Sequence, residues 1–226
     1  EYGAWENVVV LGQGEPRAHA CIAWDVRLSG VAHIGFFEAE GEEAAQVLFD
    51  ESSKRARARG IGALRGPIDF NTWQDFRAVS AGGDERPFFL EPFTHTKSSV
   101  WRAHGFVPRT SYVTVIAPAE DVPFAGLVRS DVTIERVTPT HSPEIVAGLH
   151  KVALDAFHGT WSFVPISLAE FAYIYARPLA DEERFYIIVA KDASGEIVGF
   201  FVGAPDLFDV SGKTFIFKSV AVASRS

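Results

Sequence analysis

The chain has very little sulfur and no long apolar run, and both absences exclude classes of protein. Its 226 residues include one cysteine and no methionine. The single cysteine, Cys21, cannot form a disulfide within the chain. This fits a reducing compartment, and it favours a buried apolar role for the thiol over a nucleophilic one. Because no stretch of about 18 apolar residues occurs, a membrane span is not expected.

The lack of methionine leaves two interpretations of the written sequence. The chain is either an internal fragment or a sequence from which methionines are missing, in which case some spacings are too short. The N-terminus has no basic region followed by an apolar stretch, so no signal peptide is visible. A cytoplasmic location is therefore expected.

Positive charge is also scarce. The chain has 21 Lys and Arg against 29 Asp and Glu, a net charge of -8, whereas broad nucleic-acid binding needs a basic stripe. The one basic cluster, residues 54–59, is expected at a helix C-terminus, where it complements the helix dipole. The histidines show no metal-ligand spacing, and no Walker loop or nucleophile elbow occurs. We therefore expect no nucleic-acid partner, no membrane partner and no metal.

The first half of the chain predicts a sheet followed by a helix. Strands are predicted over 7–11, 18–24, 32–38, 63–68 and 111–116. Apolar residues at helical spacing predict a helix over 42–59, and a short helix is predicted over 100–106. Because long Gly- and Pro-rich loops are uncommon in compact domains, a further helix is predicted near 73–79. His33 is expected to be half-buried with its hydrogen bonds satisfied.

The second half begins again with a strand. Strands are predicted over 132–137, 185–190, 197–202 and 214–222, the last three as an antiparallel meander. A helix is predicted from Pro143 to Phe157, with Ser142 as its N-cap. A second helix opens at Ser167, where Ser167-x-x-Glu170 forms a capping box. Residues 118–130 read as a linker between the two halves.

Several stretches resemble the GNAT superfamily of N-acetyltransferases. The meander ends in Val220-Ala221-Val222 and a short polar run, which is how the acyl-CoA site begins in that family. A helix, His104-Gly105-Phe106 and a strand resemble the end of a GNAT domain. The stretches from Trp161 to Phe171 and from Arg65 to Asn71 resemble a bacterial group of tandem GNAT-like proteins, a resemblance that implies no particular substrate.

The resemblance implies an α/β (α+β) fold of two GNAT-like units, each a mixed, mostly antiparallel sheet flanked by helices. The expected domains are a degenerate first unit over 1–117, a linker over 118–130, and a second unit over 131–226 that is incomplete at its C-terminus. The two units show no close residue-level repeat, so the duplication is inferred from the order of elements.

The resemblance also implies an activity, namely the transfer of an acetyl group from acetyl-CoA to an amine of a small molecule or peptide. The implied cofactor-binding residues are Val220, Ala221, Val222 and Arg225. For the strand the alternative is an ordinary buried strand, and for Arg225 it is a solvated arginine near the chain end.

Three further residues are implied on the substrate side. His158 is the implied proton acceptor for the amine, with a glutamate or a water chain as other routes. A histidine that caps a helix end is the alternative for His158. Trp161 and Phe163 are expected to belong to the core or to the wall of the substrate cleft, with stacking on a ligand as the alternative.

The first unit carries acids where the family places an anion-binding turn. Glu38, Glu40, Glu42 and Glu43 surround the start of the predicted helix. Two like charges about 4 Å apart repel by roughly 4 kcal/mol at an effective dielectric near 20, so a pyrophosphate is not expected there. The first unit is therefore expected to support the second. The rival interpretation of the chain is a non-catalytic binding or scaffold protein, and pairing into a homodimer is compatible with either.

Overall fold

The computed structural model describes residues 3–82, 88–90, 97–119, 131–138, 143–181 and 183–224. The chain divides into two compact units. The first contains Glu1–Val107 and Ser162–Val164, and the second contains Pro108–Trp161 and Pro165–Ser226. The expected tandem organisation is therefore confirmed. The predicted linker at 118–130 lies largely outside the described residues, so its bounds stay a prediction, and nothing in the sequence assigned Ser162–Val164 to the first unit.

The first unit is built on a four-stranded sheet. Its strands are β1 (Gly3–Gly12), β2 (Glu15–Asp25), β3 (Val31–Ala39) and β4 (Ala63–Arg65). They lie in the order β1-β2-β3-β4, with antiparallel pairing up to β3 and a parallel pairing of β4 with β3. The predicted strands are confirmed in place, although the first three are longer than the sequence indicated and β4 is shorter.

Two helices accompany this sheet, α1 (Gly41–Ala58) and α2 (Ser98–Ala103). The apolar side of α1 is buried against alternate residues of β1, β2 and β3, because a helix and a strand each present one apolar face at their own period. The core residues are Val8, Ala18, Ala20, Ile22, Ala32, Ile34, Phe37, Ala44, Ala45, Leu48, Phe49 and Trp101. The ring of Trp101 lies within 5.1 Å of three other rings, which fixes α2 on the core.

Two predictions for the first unit are wrong. Residues 73–79 form turns and an isolated bridge between Ile68 and Phe76 instead of a helix. The Asn71 side chain accepts the N–H of Trp73 at 2.9 Å, a local bond that competes with helix formation. Residues 111–116 have strand-like composition but form no strand, because none of the described strands pairs with them and β-propensity depends on such a neighbour.

The second unit has a separate four-stranded sheet. Its strands are β5 (Thr133–Arg136), β6 (Tyr186–Lys191), β7 (Ile197–Pro205) and β8 (Phe215–Val222), antiparallel throughout in that order. Its helices are α3 (Pro143–Phe157) and α4 (Leu168–Ala180). The predicted strand, two helices and meander are all confirmed, whereas the predicted N-cap Ser142 lies outside the described residues.

The core of the second unit lies on one face of its sheet. Leu149, Val152 and Ala153 of α3 are buried, and α3 packs on β7, β8 and α4. The buried strand residues on this face are Ile187, Val189, Phe200, Val202, Ala204 and Ala221. Among the described residues, no helix combines the length and apolar character needed to cross a bilayer.

The start of α4 gives the first testable prediction. Ser167 Oγ accepts the N–H of Glu170 at 3.2 Å, and the Glu170 carboxylate accepts the N–H of Ser167 at 2.7 Å. Ser167→Ala removes one half of this capping box and should lower the free energy of unfolding by about 0.5–2 kcal/mol. Urea unfolding followed by circular dichroism measures the change. Ser53→Ala in the middle of α1 is the control and should not lower the free energy of unfolding, because alanine has the higher helix propensity. An equal loss in both variants would contradict the role of the cap.

Candidate functional site

The last strand of the second sheet, β8, has one unpaired edge in the described part of the chain. Its other edge pairs with β7, from Pro205 opposite Phe215 to Gly199 opposite Val222. The register shifts between Ser219 and Phe217, so that Lys218 is an extra residue on β8. A bulge of this kind bends the strand and increases its local twist. The last residues of β8 therefore run at an angle to its first residues.

The backbone groups on the open edge of β8 can be assigned from the ladder. Ala223 N–H donates to the carbonyl of Val198 at 2.9 Å, one step beyond the Val222–Gly199 pair. Hydrogen-bonded and non-hydrogen-bonded pairs alternate along an antiparallel ladder. It follows that Ala221 bonds to β7, whereas Val220 and Val222 direct their N–H and C=O groups to the open edge.

The side chains of this strand follow the same alternation. Ala221 is 3% exposed and faces α3, whereas Val220 and Val222 are 61% and 67% exposed on the opposite face. Among the described residues, the alternative of an ordinary buried strand therefore describes Ala221 but not Val220 and Val222. Their role in cofactor binding stays a prediction, and Arg225 lies outside the described residues.

The predicted proton acceptor His158 is connected to the end of β8 through one residue. The Nδ1 of His158 lies 2.6 Å from the main-chain oxygen of Asp155. The carboxylate of the same Asp155 accepts the N–H of Ser224, two residues after Val222. A carbonyl oxygen only accepts, so Nδ1 carries the proton, and in the neutral imidazole Nε2 is the basic nitrogen.

Asp155 is a site residue that the sequence analysis missed. It lies in the last turn of α3, where the negative end of the helix dipole disfavours a carboxylate. An acid in the last turn of a helix therefore indicates that another group binds it, and here that group is the Ser224 amide. The position of Asp155 near the end of the predicted helix was visible in the sequence, but its bond to the Ser224 amide was not.

Tyr175 of α4 is a second residue that the sequence analysis did not single out. Its ring stacks on Phe171 with centroids 4.3 Å apart, and its hydroxyl hydrogen-bonds to Ser219 of β8. Burial raises the pKa of the Tyr175 phenol to about 12, while the bond to Ser219 lowers it in part. The phenol therefore stays protonated at neutral pH beside the bulge in β8.

The two predicted cleft residues are assigned to different units. Trp161 belongs to the second unit and Phe163 to the first. The Phe163 ring lies 5.8 Å from the ring of Trp73, whose indole N–H donates to the carbonyl of Val164 at 2.8 Å. The structure therefore gives Phe163 a packing contact inside the first unit, and its part in a substrate cleft stays a prediction.

In the first unit β3 is bulged as β8 is, but residues 68 and 69 already bond to its backbone along one edge. Phe36 and Phe37 together lie opposite one residue of β2, and Phe36 has a φ of 48°. The N–H of Phe36 donates to the Asp69 carboxylate at 2.7 Å, and the carbonyl of Ile34 accepts the N–H of Ile68 at 2.9 Å. The groups that β8 leaves open are thus already bonded on β3.

The segment formed by Ile68 and Asp69 packs so closely against Gly35 of β3 that no space remains between them. A Cβ added to Gly35 would lie 2.3 Å from the Ile68 oxygen and 2.7 Å from the Asp69 Cα. Burial raises the pKa of the Asp69 carboxyl, an effect that the Phe36 N–H partly offsets. A segment that needs glycine opposite it cannot share the space with a ligand.

The acids at the start of α1 lie where the sequence analysis expected them. Glu40 precedes the helix without capping it through its side chain and forms an ion pair with Arg17 at 2.9 Å, while Glu42 and Glu43 occupy the first turn. A pocket of about 360 Å³ lies beside this turn, with Glu42 and His104 among mainly apolar lining residues. Glu42 is the only acidic residue among the described lining residues, and its negative charge disfavours an anionic ligand.

Comparison with known proteins identifies the fold. No family model and no curated protein matches the chain. A solved tandem GNAT protein from the clavulanic acid biosynthesis pathway, determined without AcCoA, matches 98% of this chain at a TM-score of 0.53 and 12% identity. The chain spans 64% of the length of that structure. L-PGS from Bacillus licheniformis is matched over 99% of this chain and 59% of its own, at 12% identity and a TM-score of 0.34, too low to indicate a shared fold.

These findings confirm the expected fold class. The chain has an α/β (α+β) fold of two GNAT-like units in tandem, each with a four-stranded sheet and helices. The order of elements in the second unit, from β5 through α3 and α4 to the meander, is the order that the sequence predicted for a GNAT domain.

The environment of Cys21 gives the second prediction. The thiol is buried in the first unit, and burial raises its pKa to about 11, with the Asp69 charge adding to the shift. The thiolate is the reactive form, so iodoacetamide at pH 7.5 should leave Cys21 unmodified in the folded chain and alkylate it fully in guanidinium. Intact mass spectrometry measures both states. Stoichiometric alkylation of the folded chain would show that the thiol is accessible and ionised.

Proposed function

We propose that the second unit binds acetyl-CoA along the open edge of β8 and transfers its acetyl group to an amine of a small molecule or peptide. The observation that carries this proposal is the pair of outward-facing backbone groups at Val220 and Val222. Two residues beyond this strand, the Ser224 N–H donates to the Asp155 carboxylate. The tandem GNAT fold supports the same interpretation. The net charge of -8 supports an amine, rather than a nucleic acid, as the acceptor.

The described residues fit the pantetheine part of the cofactor. An amide-bearing arm can pair with an unpaired strand edge as an added strand would, and the N–H and C=O groups of Val220 and Val222 supply both kinds of partner. Acetyl-CoA would supply the activated carbonyl carbon. The Val222 N–H would then donate to the carbonyl oxygen and favour the developing negative charge. Arg225 is proposed to contact a phosphate.

The acceptor amine must lose a proton, and His158 is the proposed acceptor. Its Nδ1 is held by the Asp155 carbonyl, which turns Nε2 into the basic nitrogen. The Asp155 carboxylate holds the end of β8 through Ser224, so one residue positions both the base and the cofactor strand. A glutamate or a water chain remains the other route for the proton. Trp161 and Phe163 are proposed to line the acceptor cleft.

The first unit does not fit the cofactor. Its corresponding strand edge is bonded to Ile68 and Asp69, and acids surround the start of its following helix. We therefore assign it a supporting role. If the same were true of both units, the chain would be a binding or scaffold protein on an acetyltransferase fold, and titration with acetyl-CoA distinguishes the two functions.

The third prediction tests the backbone donor directly. Val222→Pro removes the outward N–H, and proline is tolerated where a strand's N–H faces away from the sheet. Losing one neutral hydrogen bond of about 0.5–1.5 kcal/mol should weaken acetyl-CoA binding by about two- to tenfold. Isothermal titration calorimetry measures the dissociation constant.

Val222→Ala is the matched control, because it trims the same exposed side chain and keeps the amide. It should bind acetyl-CoA as the wild type does. Equal affinity of the proline and alanine variants would remove the Val222 amide from the proposal. No binding by the wild-type chain at millimolar acetyl-CoA would favour the scaffold function.

The fourth prediction concerns the proton acceptor. His158→Gln removes the basic nitrogen and should lower kcat by about 10²-fold or more, the usual contribution of general base catalysis. Acetyl-CoA affinity should stay unchanged, since the end of β8 is held by Asp155. Steady-state kinetics across pH, with the amine that gives the highest rate, measures this effect. If the variant kept the wild-type kcat, the proton would leave through a glutamate or water instead.

A further inference from the structure

The buried histidine of the first unit contacts a serine from a distant part of the chain. His33 lies on β3 and is 2% exposed. Its Nε2 lies 3.2 Å from Ser162 Oγ, and its Nδ1 lies 2.7 Å from the carbonyl oxygen of Phe70. Arg65 Nη1 donates to the same Ser162 Oγ at 2.8 Å. All four residues belong to the first unit.

These contacts fix the direction of each hydrogen bond. The Phe70 carbonyl can only accept, so the proton of His33 is on Nδ1. Burial lowers the pKa of His33. The bond to the Phe70 carbonyl opposes this effect in part, and the charges of Arg65 and Asp25 have smaller effects in opposite directions. In the neutral imidazole Nε2 is an acceptor, and the Ser162 hydroxyl must therefore donate its proton to it.

The backbone at Ser162 is unusual as well. Its φ is 58°, in the left-handed region that residues with a Cβ seldom adopt. Strained residues of this kind persist only where surrounding contacts hold them, and they cluster at functional sites. Here the Trp73 indole N–H holds the following carbonyl of Val164 at 2.8 Å. Ser162 as a residue is half-buried, whereas His33 is buried.

We propose that Ser162 and His33 form an acyl-accepting serine site in the first unit, with activated carboxylic esters or thioesters as its substrates. The arrangement has the three parts that nucleophilic catalysis needs: a hydroxyl, a base bonded to it, and a group that orients the base. The site is separate from the acetyl-CoA edge proposed for the second unit and does not depend on it.

The reaction balances with the groups present. Ser162 Oγ forms a bond to the acyl carbon, and its proton passes to His33 Nε2. The bond from the acyl carbon to the leaving oxygen or sulfur breaks, and the proton on Nε2 goes to that leaving group. Arg65, whose Nη1 donates to Oγ, holds the hydroxyl in place so that its proton faces His33 Nε2. Water can then hydrolyse the serine ester by the same route, with His33 as the base.

Acetylation of the full chain by p-nitrophenyl acetate tests this site. Release of p-nitrophenolate gives the rate, and peptide mapping by mass spectrometry locates the acetyl group. In samples quenched with acid during the first turnover, before water hydrolyses the ester, the wild type should carry an acetyl ester on Ser162. Ser162→Ala should lack this ester, and His33→Gln should acquire it at least about tenfold more slowly. Thermal unfolding of each variant confirms that it is folded.

His19→Gln is the matched control. His19 also places Nδ1 near a main-chain oxygen, at 3.1 Å from Phe36, but its Nε2 faces Asn7 at 3.4 Å instead of a serine. It should be acetylated on Ser162 at the wild-type rate. The proposal is overturned if the wild-type peptide map shows no ester on Ser162, which needs no variant, or if His33→Gln and His19→Gln react equally fast.

Discussion

The structure depends on how each unit satisfies the backbone groups along one edge of a bulged strand, β3 in the first unit and β8 in the second. Backbone N–H and C=O groups at a strand edge need partners, and a chain must supply them itself or leave them for another molecule. On β3 the partners are Ile68 and the Asp69 carboxylate, both in the segment after β4. On β8 the described chain supplies none beyond the end of the strand, where Asp155 accepts the Ser224 amide. The two similar sheets therefore differ in whether a ligand can add to them.

The same requirement explains the polar face of the first sheet. The face of β3 opposite α1 carries His33, and the residues around Phe70 and Ser162 provide the oxygens that its two ring nitrogens need. A buried imidazole without these partners would cost a few kcal/mol, since an unbonded polar group loses its hydration. Trp73 adds a third bond to the same short segment through Val164. Satisfying one buried histidine thus accounts for the placement of a distant part of the chain.

Much of the fold could be predicted from local patterns, because periodicity and capping are local signals. The bounds of α3 and the capping box at Ser167 follow directly from the sequence. Two features depend on non-local contacts: residues 111–116 have strand composition but no neighbour among the described strands, and Ser162 bonds to residues far away in sequence. The helix predicted near 73–79 failed for a local reason, the bond between Asn71 and the Trp73 N–H. For the candidate site, the sequence indicated Val220–Val222 and His158 but could not show that Asp155 connects them.

Three independent features block the edge of β3 in the first unit: a hydrogen bond, close backbone packing and nearby negative charge. Replacing Asp69 alone would free the Phe36 amide, but the backbone of Ile68 would still lie against Gly35, too close for even a methyl group. Moving that backbone would in turn leave the Ile34 carbonyl without its bond to Ile68, and the carboxylates at the start of α1 would still repel an anion. Steric, hydrogen-bonding and electrostatic barriers therefore coincide at the edge of β3, whereas the described part of the chain places no such barrier along the edge of β8 at Val220 and Val222.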